Sequence, residues 1–237
     1  MKSAKQVFTR RGVIGGLSLA GSLAFMPGAL SAQATLGGLG LGSILGKASD
    51  SALDQLAQPG AFYNDESIRI GLPIVGNLGS RSGGLFGSLM NAGNRLGVLG
   101  DITRKINDAA GVAAGEAKPI FRDAIDDLSF TDAPDIIREE DGGTQYLRRS
   151  ANDRLHRRLE PLVNDALEKA GVFTQFDRLA DEHRFIRDAG LDRDRINGSV
   201  TDQGLDGIFA YIGNEEREFR RDPLRNLGNA LGDLLGS

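Results

Sequence analysis

The chain has 237 residues, 28 Lys and Arg against 32 Asp and Glu, and neither cysteine nor tryptophan. Without cysteine there is no disulfide, thiolate nucleophile, iron–sulfur cluster or Cys-type zinc site. The acidic balance lacks the basic footprint of nucleic-acid binding and gives no attraction to anionic lipid heads. Aromatics make up only 6%, which favours packed helices over sandwiches or carbohydrate clefts built on exposed rings.

The first 34 residues read as an address. Lys2, Lys5, Arg10 and Arg11 open the chain with no acidic residue among them, and a Gly- and Ser-diluted apolar run follows from Gly12 to Phe25. Pro27 and Gly28 break it, and Ala32-Gln33-Ala34 forms an A-x-A cleavage site. A spanning helix needs about 20 strongly apolar residues, and Gly12, Gly15, Gly16 and Gly21 weaken this run further. Thr9-Arg10-Arg11-Gly12-Val13-Ile14 matches the twin-arginine export pattern. An ordinary secretory signal and an uncleaved anchor are the competing readings. Cleavage after Ala34 leaves 203 residues with 24 cations against 32 acids, a balance of −8. That length suffices for one domain held by its core alone.

Residues 35–98 form an expected N-terminal part with short helices and an extended segment, and residues 99–237 an expected helical bundle. In the first part, LGGLGLGSILG (residues 36–46) and the stretch 76–100 are rich in Gly and Leu. Glycine at that density predicts mobile or weakly helical chain. DESIRIGLPI (residues 65–74) alternates and closes at Pro73, so it reads as extended without a partner strand.

From residue 99 the helical period takes over. Leu99, Ile102, Ile106, Ala109 and Ala113 mark one face. Pro119 suits a first turn, followed by Phe121, Ile125 and Leu128. A short helix is predicted after Thr131, ending near residues 140–143. The longest runs over 144–170 on Leu147, Leu155, Leu159, Val163, Ala166, Leu167 and Ala170. Pro161 should kink or split it, and Gly171 should stop it. Another helix covers Val172 to Arg187. Ser199 and Asp202 suggest a cap for a helix carrying Leu205, Ile208, Phe209, Ile212 and Phe219 to Pro223. Leu224, Leu227, Leu231, Leu234 and Leu235 make an amphipathic tail.

Familiar chemistries fail on spacing. Gly46-Lys47 is followed by Ala48, and Leu41 occupies the first glycine position, so there is no phosphate loop. Ser43 stands where a dinucleotide fingerprint needs its third glycine, and no G-x-S-x-G elbow occurs. Asp192-x-Asp194 begins like a calcium loop, but Ile196 and Asn197 break the pattern. Asp153, His156 and Glu160 share a helix face as half of a metal site would, yet Arg154, Arg157 and Arg158 crowd it and His183 lacks the matching carboxylate. No motif indicates a cofactor or metal.

Arg148, Arg149, Arg154, Arg157 and Arg158 suit an acidic or phosphate partner or pairing with Asp135, Glu139, Glu140 and Asp141. Asp202 and Asp206 sit one turn apart, as an acid–base pair does.

Five blocks in order resemble the DUF4197 family of proteobacterial exported proteins: IRIGLPI (68–74), AKPIFRDAIDDLSFTDA (117–133), TQYLRR (144–149), LEPLVNDALEKAGV (159–172) and LDGIFAYIGNEEREFRRDP (205–223). The resemblance spans residues 36–235, with Gly71 in place of an expected proline and a Gly-rich 76–97 where a helix is expected. It implies a helical, signal-bearing envelope protein and supplies no catalytic residue.

The expected fold is thus all-α, a single bundle behind a cleavable signal and a Gly-rich segment. The expected function is non-catalytic binding of a hydrophobic ligand or envelope protein partner, besides the export machinery. Candidate contacts are Tyr146, Arg148, Arg149, Asp206 and Phe209. The competing class is a periplasmic hydrolase or metal-dependent enzyme using Tyr146, Arg148, Asp206 or Glu216 in a pocket.

Overall fold

A computed structural model describes residues 28–72, 98–129, 139–182 and 192–221, with side chains described from Gly40 in the first helix and from Gly100 in the third. These residues form seven helices and no strand. In chain order they are α1 (Gly28–Leu56), α2 (Ala61–Asn64), α3 (Val98–Glu116), α4 (Lys118–Asp126), α5 (Gly142–Lys169), α6 (Val172–Glu182) and α7 (Arg193–Arg221). The predicted all-α class holds. The predicted helix after Thr131, most of the 76–100 stretch, His183, the leucine tail and Arg10 and Arg11 lie outside the described residues.

The three longest helices, α1, α5 and α7, set the architecture: α7 packs along both α5 and α1. Helix α3 lies against α5 and α1, α4 bridges α1 and α5, and α6 closes over α5 and α3. The centre holds the apolar stripes read from the sequence. Ile102, Ile106, Phe121, Leu147, Leu155, Leu167 and Ile212 are fully buried. The Phe121 and Phe209 rings meet edge to face at 6.2 Å, a favoured geometry for aromatic quadrupoles.

The glycine-rich stretch 36–46 departs from expectation. It belongs to a continuous 29-residue helix, not to short or weak ones. Its C-terminal half buries Leu45, Ala48, Ala52, Leu53 and Leu56 in the common core, and such packing outweighs an unfavourable glycine propensity of about 1 kcal/mol per residue. This helix also runs through Ala32-Gln33-Ala34, so cleavage after Ala34 would trim its first turns and leave the buried half intact.

Helix α5 is likewise one piece, with Pro161 inside it. Pro161 and Arg157, whose carbonyl loses its amide partner, both face solvent. Water can serve that carbonyl, while Leu159 and Val163 stay buried on the other face. Gly171 ends the helix as predicted, at φ 71°, a left-handed conformation in which glycine is the default residue. Helix α7 starts earlier than the Ser199–Asp202 pattern predicts. The Arg195 amide donates to Asp192 Oδ1 at 2.8 Å, which makes Asp192 the cap. Ile196 and Val200 are fully buried, and their packing carries the helical period two turns upstream.

The stretch expected to be extended from residue 65 begins as a turn over 66–68, closed by the Ile68 amide on Asp65 O at 3.3 Å. Residues 69–72 are neither helix nor strand, and residues 73–74 lie outside the described ones. The backbone at Ile70 and Gly71 is served by side-chain amides instead. Ile70 N–H donates to Asn107 Oδ1 at 2.8 Å, and Asn107 Nδ2 returns a bond to Ile70 O at 2.9 Å. Gly71 is held the same way by Gln203, at 2.9 and 3.1 Å. Two helices thereby satisfy buried backbone groups that would otherwise demand a β-partner.

Candidate functional site

Four of the five predicted contact residues have their described interactions inside the fold. Tyr146 donates its hydroxyl to Ser129 O at 2.9 Å. Arg148 pairs with Asp206 and lies over the Phe209 ring at 5.4 Å. Phe209 itself is buried. Arg149 is exposed on α5. Two further arginines of the α5 face pair with α4 and its C-cap: Arg158 with Asp123 at 2.9 Å and Arg154 with Asp127 at 2.7 Å, while Arg157 is exposed. Of the acidic residues expected to neutralise these arginines, Asp141 meets Arg217 and Glu140 meets Arg221, both on α7, while Asp135 lies outside the described residues. The reason is geometric. Residues 140–141 precede the start of α5, beside the end of α7, and cannot reach side chains two or more turns along α5.

Asp202 and Asp206 do not act as a pair. Asp202 meets His156 at 3.1 Å and Asp206 meets Arg148, so each bridges α7 to α5. Among the described residues no three His, Cys, Asp or Glu side chains gather as metal ligands. Asp153, His156 and Glu160 therefore remain a stripe on one helix.

Glu216, named as a possible enzymatic group, is a buried anchor. Its carboxylate accepts from Gly143 N at 3.0 Å, Thr144 N at 2.7 Å, Thr144 Oγ1 at 2.7 Å and Arg220 Nη2 at 2.5 Å. It occupies the positive end of α5, where an anion is stabilised by unpaired amides and the helix dipole. Gly143 makes this possible, because a Cβ there would stand 2.7 Å from Glu216 Oε1.

The groups whose acidity shifts are also engaged in holding elements together. Bonds from the Ser67 hydroxyl, the Ser67 amide and the Tyr211 hydroxyl hold Asp65 below the usual carboxylate range. Burial, then the bond to Asp65, pushes the Tyr211 phenol upward. They join the segment after α2 to α7.

Open space occurs elsewhere. Inside the bundle, between α3, α5 and α7, the apolar void is only about 10 Å³. On the surface, the α1–α2 turn and α3 frame a groove of about 340 Å³. Ala57, Pro59, Gly111 and Val112 give it apolar ground, while Gln58, Asn64, Arg104, Asn107 and Asp108 supply polar groups. Val112, at 55%, is the one large apolar side chain standing exposed among the described residues. Arg104 lies over the Tyr63 ring at 5.0 Å, a ring it shares with Arg69 at 5.1 Å.

The sequence reading missed this groove. It arises where α3 crosses the α1–α2 turn, a tertiary junction that no local spacing encodes. One signal was available: Asn107 interrupts the apolar face of Ile102, Ile106 and Ala109, and a polar residue there must meet a specific partner.

A family model described as protein of unknown function (DUF4197) matches residues 32–236, so the chain belongs to that family. No curated protein and no solved structure matches the chain.

Proposed function

We propose that this DUF4197 protein is exported, loses residues 1–34, and acts in the envelope as a non-catalytic interaction protein through the groove between the α1–α2 turn and α3. The contrast between the small void among α3, α5 and α7 and that groove carries the reading. A void of about 10 Å³ cannot admit a lipid chain, whereas about 340 Å³ of surface groove, at the lower end of ligand-site sizes, can admit part of a partner. Val112 exposed within it is the kind of apolar ground a partner covers. This favours the partner over the hydrophobic small ligand.

The enzymatic alternative finds less support. Arg148 and Asp206 neutralise each other, Tyr146 is bonded to Ser129 O, and Glu216 is closed off by the start of α5. The export part rests on the positive start, the broken apolar run, the paired Arg10 and Arg11, and Ala32-Gln33-Ala34. No helix among the described residues is long and apolar enough to cross a membrane.

Native mass spectrometry of the protein from fractionated cells tests both parts. The expected species is a periplasmic chain beginning at Thr35, in complex with another polypeptide. An intact leader on cytosolic protein would overturn the export reading, and a bound metal with no partner would overturn the interaction reading. Replacing Arg10 and Arg11 by Lys should hold the precursor in the cytoplasm if the route is twin-arginine.

A further inference from the structure

Across this bundle arginines meet carboxylates: Arg122 with Asp50, Arg154 with Asp127, Arg193 with Asp177 and Arg217 with Asp141. Arg104, like the exposed Arg149, Arg157 and Arg178, meets none among the described residues, but unlike them it lines the groove. Its Cζ lies over the Tyr63 ring at 5.0 Å. A cation–π contact of this kind steadies the side chain, whose planar fork binds a carboxylate through two bonds. Arg69, on the same ring, is committed elsewhere, donating from Nε to Tyr63 O at 2.6 Å.

The rest of the lining narrows the occupant. Asp108 stands one helical turn from Arg104 on the same groove, so a bare anion would meet repulsion beside its attraction. The occupant must bring a carboxylate for Arg104 together with an N–H donor for Asp108. Asn64 adds an exposed amide able to donate and accept. Asn107 lines the groove too, but its amide is engaged by Ile70 and Thr103 O. A hydrocarbon chain has no donor for Asp108, and inorganic phosphate offers nothing to Val112 or Pro59. A polypeptide end has all three features within two residues: a carboxylate, a backbone N–H and a side chain. The groove's modest volume fits a chain tip better than a long internal segment.

We infer that this groove holds the carboxyl-terminal tip of a partner polypeptide. The terminal carboxylate sits on Arg104, a backbone amide of the tip donates to Asp108, and an apolar last side chain covers Val112 and Pro59. This identifies the chemistry of the partner and rests on the interaction reading above.

The test is an array of heptapeptides with the last three positions varied, made once with free carboxyl ends and once amidated. Part of the amidated set carries Asp or Glu at inner positions. Labelled mature full-length chain should be retained on free-acid peptides ending in an apolar residue, at least about tenfold above their amidated twins, as loss of one charge-assisted bidentate contact implies. Arg104→Gln and, independently, Val112→Glu should abolish retention, whereas Arg154→Gln outside the groove should leave it unchanged. Helical circular dichroism verifies that the variants fold. Equal retention of acids and amides, preference for inner Asp or Glu, retention surviving Arg104→Gln, or a blank array would each overturn the proposal. A blank array beside a partner seen by native mass spectrometry removes the carboxyl-terminal assignment alone, while no partner in either experiment removes the interaction reading with it.

Discussion

Glu216→Ala is the sharpest perturbation of the fold. The carboxylate is 1% exposed and accepts four hydrogen bonds, two from the first amides of α5, one from the Thr144 hydroxyl and one from Arg220. Truncation strands those donors in an interior that water reaches poorly. Breaking a buried pair by removing one partner costs about 3–5 kcal/mol, a large part of the roughly 5–15 kcal/mol that holds a domain together. Glu216→Gln keeps one acceptor oxygen but turns an NH₂ toward the amide donors, so it should lose about 2–3 kcal/mol. Gly143→Ala attacks the same contact from the other side, with a Cβ at 2.7 Å from the carboxylate, and overpacking there should cost about 1–3 kcal/mol. Urea unfolding followed by circular dichroism measures all three. The expected result is a midpoint falling in the order Gly143→Ala or Glu216→Gln, then Glu216→Ala, with the slope unchanged. A Glu216→Ala variant within about 0.5 kcal/mol of the parent would refute the anchoring argument.

Other predictions follow from the same reasoning. Amides of Ile70 and Gly71 should resist hydrogen exchange although they lie in neither helix nor strand. Asn107→Ala should speed exchange at Ile70, and Gln203→Ala at Gly71, each by about tenfold or more, as a lost buried bond pair implies. The pair Asp65 and Tyr211 predicts stability losses at both ends of the pH scale. Asp65 is lowered by its bonds, so its contribution is present above the ordinary carboxylate value near 4 and disappears as pH falls through its folded value. Tyr211 is raised, so its contribution is complete below about pH 10 and is lost as pH rises through the higher folded value. Unfolding curves of Asp65→Asn should lack the acid component and those of Tyr211→Phe the alkaline one. Arg148→Ala and Asp206→Ala should each stay within about 1 kcal/mol of the parent, because the pair is 52% and 62% exposed.

The helical class was legible because the apolar stripes repeat at three and four residues, and Ile102, Ile106, Leu155 and Ile212 are buried where that period puts them. Two features escape local propensity because burial outweighs it. The glycines of 36–46 weaken a helix on their own, yet Leu45, with Leu53 and Leu56 further along, draws that stretch into one. The spacing at Ser199 suggests a cap, although Ile196 and Val200 need cover upstream. Pro161 does not split α5, and it sits on the solvent side.

The site was less legible. Arg148 and Asp206 stood out as charges in a row, and tertiary structure pairs them with each other. Glu216 carried a readable signal, an acid inside the stripe of Phe209, Ile212 and Phe219, but its partner lies 72 and 73 residues away. Arg104 carried none, since one more exposed arginine on a helix is ordinary until Tyr63 and the α1–α2 turn are placed beside it.

Site-specific photo-crosslinking from position 112 in living cells tests the central claim most directly. The account predicts one discrete polypeptide adduct that vanishes with Arg104→Gln and is displaced by a free-acid peptide selected on the array, with no such adduct from a probe at position 154. No adduct from position 112, or one indifferent to both Arg104→Gln and the competing peptide, would contradict it.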